Sequence, residues 1–128
     1  MTDSVRDYLS SRNYSDHVMR DGLAGLVRSW EATVASVASG VEQYQDDYLN
    51  DMDGRRILEE ALLVAPAAER AQWVGRVAAA DGNIQPHLIP TQECIWGEEN
   101  AARHGYSRER DWWYYHRPRV VDESWRSF

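Results

Sequence analysis

One long apolar repeat constrains the fold of this chain more than any other feature. Between residues 19 and 48, apolar side chains recur every three or four positions without interruption, which is the spacing of one face of an amphipathic helix. We call this set the apolar seam, and its members are Met19, Leu23, Leu26, Trp30, Val34, Val37, Val41, Tyr44 and Tyr48. The seam predicts one long helix over about residues 15–52.

The length of this helix has a consequence for assembly. A straight helix over residues 15–52 measures about 57 Å at 1.5 Å per residue, whereas a compact domain of this size has a diameter of roughly 36 Å. Either the helix breaks near Gly40, or its overhang packs against another subunit. A glycine inside a helix costs only about 1 kcal/mol, and Val37, Val41 and Tyr44 keep the register across Gly40. We therefore expect a continuous helix and a homodimer formed through the apolar seam.

The rest of the chain predicts shorter helices and then an irregular arm. A short helix is expected over residues 3–12. The pair Asp53-Gly54 is typical of a break, Pro66 separates two further helices, and Asp81-Gly82-Asn83 is a helix stop signal. The chain is therefore expected to be mainly α, a helical bundle built on its one long helix.

The C-terminal third differs in character from the helical body. Pro86 and Pro90 forbid a regular helix, and the aromatic run over residues 111–116 has the composition of a short strand, which either pairs or drapes over the helices. We expect a body over about residues 1–83 and an irregular, aromatic-rich C-terminal arm over about 84–128 that packs on it.

Charge excludes some classes of partner. The chain has a net charge of −7. Its 128 residues are also few enough that we expect a single domain, 1–128. The acids are concentrated in the body, whereas the end of the arm has more arginine than acid, and no lysine is present anywhere. An acidic body is repelled by a phosphate backbone along its whole length, so a nucleic acid is not expected as the partner.

The sequence also bears on location. No apolar stretch approaches the ~20 residues that a membrane-spanning helix needs, and the first residues do not have the pattern of a secretory signal. The single cysteine, Cys94, excludes an intrachain disulfide and fits a reducing compartment. We expect a cytoplasmic protein that makes no membrane contact.

The densest acidic stretch, residues 42–60, raises the question of a cation site. Two of its carboxylates lie four residues apart on one helix face, and clustered carboxylates can bind a hard cation such as Mg²⁺. No closed zinc spacing is present, and a solvated helix face is the favoured interpretation, so we expect neither a metal nor a cofactor. The ligands of the weaker metal hypothesis are Asp47, Asp51, Glu60, His87 and His104.

The arm concentrates tryptophan, tyrosine and arginine, the residue types enriched in interface hot spots. Interleaved aromatic and basic side chains can also stack single-stranded bases. The favoured interpretation is that the rings plug the helical body while the arginines pair with the acids of residues 42–60. Together with the seam, the arm supplies the interface candidates Trp30, Val37, Val41, Tyr44, Tyr48, Trp112, Trp113, Tyr114, Tyr115 and Arg117.

These features favour a small acidic cytosolic protein that acts through protein–protein contact, as an inhibitor, an immunity-type or an accessory protein without catalysis of its own. Its partner is expected to be another protein with a basic surface. The alternative is a small metal-dependent or ligand-binding enzyme with a Trp/Tyr-lined pocket and acids from residues 46–60. The chain contains no phosphate-binding loop and no dinucleotide fingerprint.

Overall fold

The computed structural model describes Val5 and residues 16–125, with side chains from residue 21 onward. The helix predicted over residues 3–12 lies outside the described residues, apart from Val5, which is buried in the core. The described helices are α1 (Asp16–Ala38), α2 (Gln45–Val64), α3 (Ala67–Ile84) and α4 (Glu98–His104). Two strands, β1 (Leu88–Pro90) and β2 (His116–Pro118), pair antiparallel. The mainly α class with a short sheet in the arm is confirmed.

The prediction of one continuous helix over residues 15–52 is wrong. Helix α1 ends at Ala38, and Gly40 follows with a left-handed φ of 82°. The Gly40 N–H donates to the carbonyl of Val37 (3.1 Å) and the Val41 N–H to that of Ser36 (3.3 Å). These are the two bonds of a Schellman cap, which needs a left-handed residue and therefore favours glycine. The chain turns there and begins α2 at Gln45, so the seam is divided between two helices. Helix α1 is itself kinked at Gly22, whose φ of 56° is left-handed.

Each of the two helices buries side chains of the apolar seam against other parts of the same chain. Helix α1 packs against both α2 and α3. Val37 near the end of α1 and Tyr48 in the first turns of α2 are both buried, whereas Val41 and Tyr44 between the helices are exposed. The length argument for an overhanging helix therefore no longer applies.

Helix α2 does not break at Asp53-Gly54, as had been expected. It continues to Val64, because buried side chains lie on both sides of the pair, among them Met52 and Leu58. Pro66 does separate α2 from α3, as predicted. Helix α3 runs through the predicted stop at residues 81–83 to Ile84, whose side chain is fully buried.

The arm returns to the start of α2. A turn of 3₁₀ helix over Trp112–Tyr115 replaces the strand expected at residues 111–116, and β2 begins only at His116. Three buried aromatic side chains of that turn point inward, which an alternating strand does not allow. Further on, Gln43 bridges Val121, and the indole N–H of Trp125 donates to the Gln43 carbonyl (3.0 Å).

Candidate functional site

A buried guanidinium ties three helices together. Arg55 of α2 forms a bidentate pair with Asp81 of α3, from Nε to Oδ1 (3.0 Å) and from Nη2 to Oδ2 (2.7 Å). Its Nη1 donates to Glu59 (2.9 Å), and the Trp30 indole of α1 donates to Asp81 Oδ1 (2.9 Å). Only 4% of the Arg55 side chain is exposed. Burial alone would lower the pKa of Arg55, but the hydrogen bonds with Asp81 and Glu59 outweigh it and raise that pKa.

The same guanidinium connects the helices to the arm. Its Cζ lies 4.7 Å from the ring centroid of Trp113 and 5.8 Å from that of Trp30. Desolvated cation–π contacts of this kind are worth up to about 2 kcal/mol. Arg55 therefore holds Trp113 of the arm against the helical body.

A second face of α2 meets the arm through Asp53. Its Oδ1 accepts a hydrogen bond from Trp96 Nε1 (3.1 Å) and a short one from the Tyr114 hydroxyl. Burial, followed by the hydrogen bond to this carboxylate, raises the pKa of Tyr114. The phenol therefore remains a donor at physiological pH, and Asp53 is anchored by two aromatic side chains.

A stack of three rings leads from this contact to the surface. Tyr106 lies against Tyr114 with centroids 4.5 Å apart and an interplanar angle of 26°. His104 lies against Tyr106 at 5.3 Å and 22°. Because Tyr114 is buried and His104 is exposed, the stack forms a wall between the interior and the solvent.

Beside this wall, a cleft of about 790 Å³ opens between α2 and the arm. Its size lies within the range of roughly 300–1,000 Å³ found for small-molecule sites. A smaller cavity of about 270 Å³ shares Arg56, His104 and Tyr106 with it. The residues lining the cleft are Arg56, Glu59, Glu60, Leu63, His104, Tyr106, Arg110, Asp111 and Trp113.

Arg56 borders both cavities. Among the described residues its one ion pair is with Glu60, at 3.3 Å from Nη1 to Oε1, and its Nε is buried without an acceptor. Burial by itself would lower the pKa of Arg56, whereas the neighbouring Tyr114 and Tyr106 hydroxyl groups and Glu60 raise it. Arg56 therefore remains a charged donor, and its side chain, which is 27% exposed, borders both cavities.

The opposite end of α2 is acidic. We define the acidic patch as Glu42, Asp46, Asp47 and Asp51, none of which forms an ion pair within the described part of the chain. Asp46 and Asp47 lie in the first turn of α2, where the helix dipole stabilises negative charge. Burial, and then repulsion by Asp47, raises the pKa of Asp51 to about 6.

This pKa predicts a pH-dependent stability. The folded-state value of about 6 lies above the reference value of 3.8, so the folded state binds this proton more tightly than the unfolded state does. The stabilisation from protonated Asp51 is complete below pH 3.8 and is lost as the pH rises through about 6. We expect Asp51→Asn to stabilise the protein at neutral pH by about 1 kcal/mol or less, because partial exposure screens the charge.

Urea denaturation of the wild type and Asp51→Asn across this pH range measures the effect, and the two curves should converge in acid. Glu42→Gln removes one charge from the exposed loop and serves as the matched control, with no expected change in stability. Equal stability of wild type and Asp51→Asn at neutral pH would contradict the prediction.

Exposed apolar side chains lie beside the acidic patch. Tyr44 is 58% exposed, Val41 is 53% exposed and Val120 is 44% exposed. Val120 is held next to the loop because its carbonyl accepts the Gln43 N–H (3.3 Å). Since Gln43 points into the core, Tyr44 as its chain neighbour points outward. We call Val41, Tyr44 and Val120 the apolar patch.

The arm arginines do not pair with the acids of residues 42–60 anywhere in the described ranges, contrary to expectation. Arg103 pairs with Glu99 and Arg110 with Asp111, both inside the arm. Arg126 lies outside the described residues. The arm is attached to α2 by Trp96 and Tyr114, which donate to Asp53, and to the loop before α2 by backbone hydrogen bonds with Gln43.

The interface candidates fall into two groups by exposure. Those that remain at the surface are Val41 and Tyr44, with Trp112 and Arg117 partly buried. The others lie in the core of the single chain, and they are Trp30, Val37, Tyr48, Trp113, Tyr114 and Tyr115. Of the ten candidates, Val41 and Tyr44 are therefore the exposed ones within the described structure.

The five proposed metal ligands are not brought together. Asp47 and Asp51 belong to the acidic patch, Glu60 and His104 line the cleft, and His87 lies beside a groove between α1 and α3. Within residues 16–125 as described, no three His, Cys, Asp or Glu side chains are gathered as a metal site requires.

Sequence reasoning missed Asp53, Arg55, Asp81 and Tyr106 as organising residues. Arg55 and Asp81 lie 26 positions apart and on different helices, so no local spacing links them. The one available signal was their position on helix faces that also carry buried apolar residues, where a charge needs a partner.

None of the described helices has both the length and the apolar character needed to cross a membrane. No family model, curated protein or solved structure matches this chain.

Proposed function

We propose that this is a small acidic protein that acts by binding a basic protein partner, as an inhibitor, an immunity-type or an accessory protein. The observation that supports this proposal is the exposed apolar patch bordered by four carboxylates that form no ion pair in the described part of the chain. Tyr44 is the aromatic member of the apolar patch, and 58% of it is exposed.

The composition of this surface suits recognition of a protein. Tyrosine is enriched among interface hot spots, where a ring is buried against the partner and surrounded by contacts that exclude water. Carboxylates without cations of their own steer and orient a positively charged surface, and they raise the rate of encounter. The Tyr44 carbonyl accepts the Tyr48 N–H at the start of α2 (2.9 Å), but the Tyr44 side chain makes no capping hydrogen bond to the helix.

A second copy of the chain is a poorer occupant of the same surface. Two acidic patches brought face to face would repel each other, and most of the apolar seam that suggested a homodimer is used inside the monomer. A basic partner is therefore favoured. The buried, unpaired Cys94 accords with the cytoplasmic location that we propose for the complex.

The test is capture of partners from the native cell with the full chain and matched variants. We expect wild type to recover a protein with a basic binding surface, and Tyr44→Ala and Asp47→Arg each to weaken its binding by about tenfold or more. The affinity should also fall as salt is raised, because the contact is electrostatic.

The controls make the same chemical changes elsewhere on the surface. Val74→Ala removes an exposed apolar side chain from α3, and Glu99→Arg reverses a charge on α4. Both should bind as wild type does. Recovery of an acidic partner, equal loss in the controls, or failure to recover any saturable partner would refute the proposal.

A further inference from the structure

The cleft between α2 and the arm is separate from the acidic and apolar patches. Asp47 and Glu59 are twelve positions apart on α2, which places them about 18 Å apart along the helix. We propose that the cleft binds a small zwitterion of the amino-acid class, with its carboxylate on Arg56 and its ammonium group on Glu59.

The guanidinium of Arg56 determines what kind of group a ligand in the cleft should present to it. Arg56 has five N–H groups, and among the described residues Nη1 bonds to Glu60 and the Tyr114 hydroxyl group lies close by. Its side chain is 27% exposed at the cleft, so a ligand can reach the guanidinium from that side. A carboxylate is the acceptor that matches a guanidinium in charge and in geometry.

The requirement for a cation comes from the acids on the same walls. Glu59 uses Oε1 to accept from Arg55 (2.9 Å), and within the described part of the chain its Oε2 has no partner. Its side chain is 41% exposed. A ligand with only a negative charge would be repelled by Glu59, and one with only a positive charge would be repelled by Arg56. A zwitterion satisfies both groups.

The body of the ligand would be apolar. Leu63 is 69% exposed at the cleft, and the partly buried ring of Tyr106 adds aromatic surface. The volume of about 790 Å³ accommodates an amino acid as large as tryptophan.

The probes are L-leucine, L-phenylalanine and L-tryptophan, titrated into the full chain by calorimetry. We expect at least one to bind saturably, and its amine without a carboxylate and its carboxylic acid without an amine to bind about tenfold more weakly each. No saturable binding by all three, or equal binding of a singly charged analogue, would overturn the proposal. These comparisons use wild-type protein and do not depend on the folding of a variant.

Two variants test the assigned contacts. Arg56→Gln should weaken the amino acid about tenfold or more, and Glu59→Gln should weaken the amino acid but not its deaminated acid. Arg103→Gln, which changes an exposed arginine of α4, is the control and should bind normally. Unchanged binding by a folded Arg56→Gln protein would refute the assigned carboxylate contact.

Discussion

Replacing Asp81 with alanine should lower the free energy of unfolding by about 3–5 kcal/mol, the range measured when one partner of a buried ion pair is removed. The change takes both oxygens away from the bidentate pair with Arg55, whose side chain is 4% exposed. It also leaves the Trp30 indole N–H without its acceptor. Glu59 alone then remains to balance a desolvated guanidinium. Urea denaturation followed by circular dichroism measures the loss.

The matched control is Glu99→Ala, which removes the carboxylate partner of Arg103 on the exposed face of α4. Exposed ion pairs contribute little, so this variant should be as stable as wild type within about 0.5 kcal/mol. A similar small effect for Asp81→Ala would show that the Arg55 pair does not stabilise the fold. Asp81→Asn keeps an acceptor for Trp30 and should fall between the two variants.

Trp113→Ala should destabilise the protein by about 3–5 kcal/mol, as is typical when a large buried aromatic side chain is removed. The Trp113 ring is 1% exposed, and it supplies one of the two indole faces against the Arg55 guanidinium. Its removal leaves a cavity at the junction of the arm and α2. Thermal and urea unfolding, with the arm followed by tryptophan fluorescence, measure the change.

Trp112→Ala is the control for this substitution, because it deletes the same side chain from the adjacent position of the same 3₁₀ turn. Trp112 is only partly buried and makes no contact with Arg55 among those described. Trp112→Ala should lower the free energy of unfolding by less than half as much as Trp113→Ala does. Equal costs would mean that aromatic content, rather than the junction at Arg55, stabilises the arm.

Local chemistry was sufficient to identify the helical character of the body and one of its boundaries. Pro66 separates α2 from α3 because proline lacks an N–H and fixes φ at a value suited to the start of a helix. The glycine at position 40 was also recognised as a candidate break. The register of the seam, however, favoured continuity, because α1 and α2 each bury one face and their apolar spacings happen to be in phase across the turn.

Fewer of the site residues could be predicted from local sequence patterns. The acids near the start of α2 were found, since carboxylates clustered in sequence remain clustered on a helix. The described arginines of the arm do not pair with these acids as predicted, because opposite net charge does not specify which side chains meet. Tyr106 and Trp113 form the cleft with Arg56 only because the arm folds back along α2 for reasons of ring packing.

By itself, the sequence determined the helical class, the acidic surface, and the division into a helical body and an aromatic arm, since each depends on spacing and composition within short windows. The tertiary structure alone decided that the seam is divided at Gly40, that Arg55 is paired with Asp81, and that a cleft opens beside Arg56. Each of these depends on contacts between residues far apart in the chain. Such contacts form because the whole fold buries apolar surface and pairs its buried charges. The free energy of these contacts depends on the complete structure, so a local sequence pattern cannot predict them.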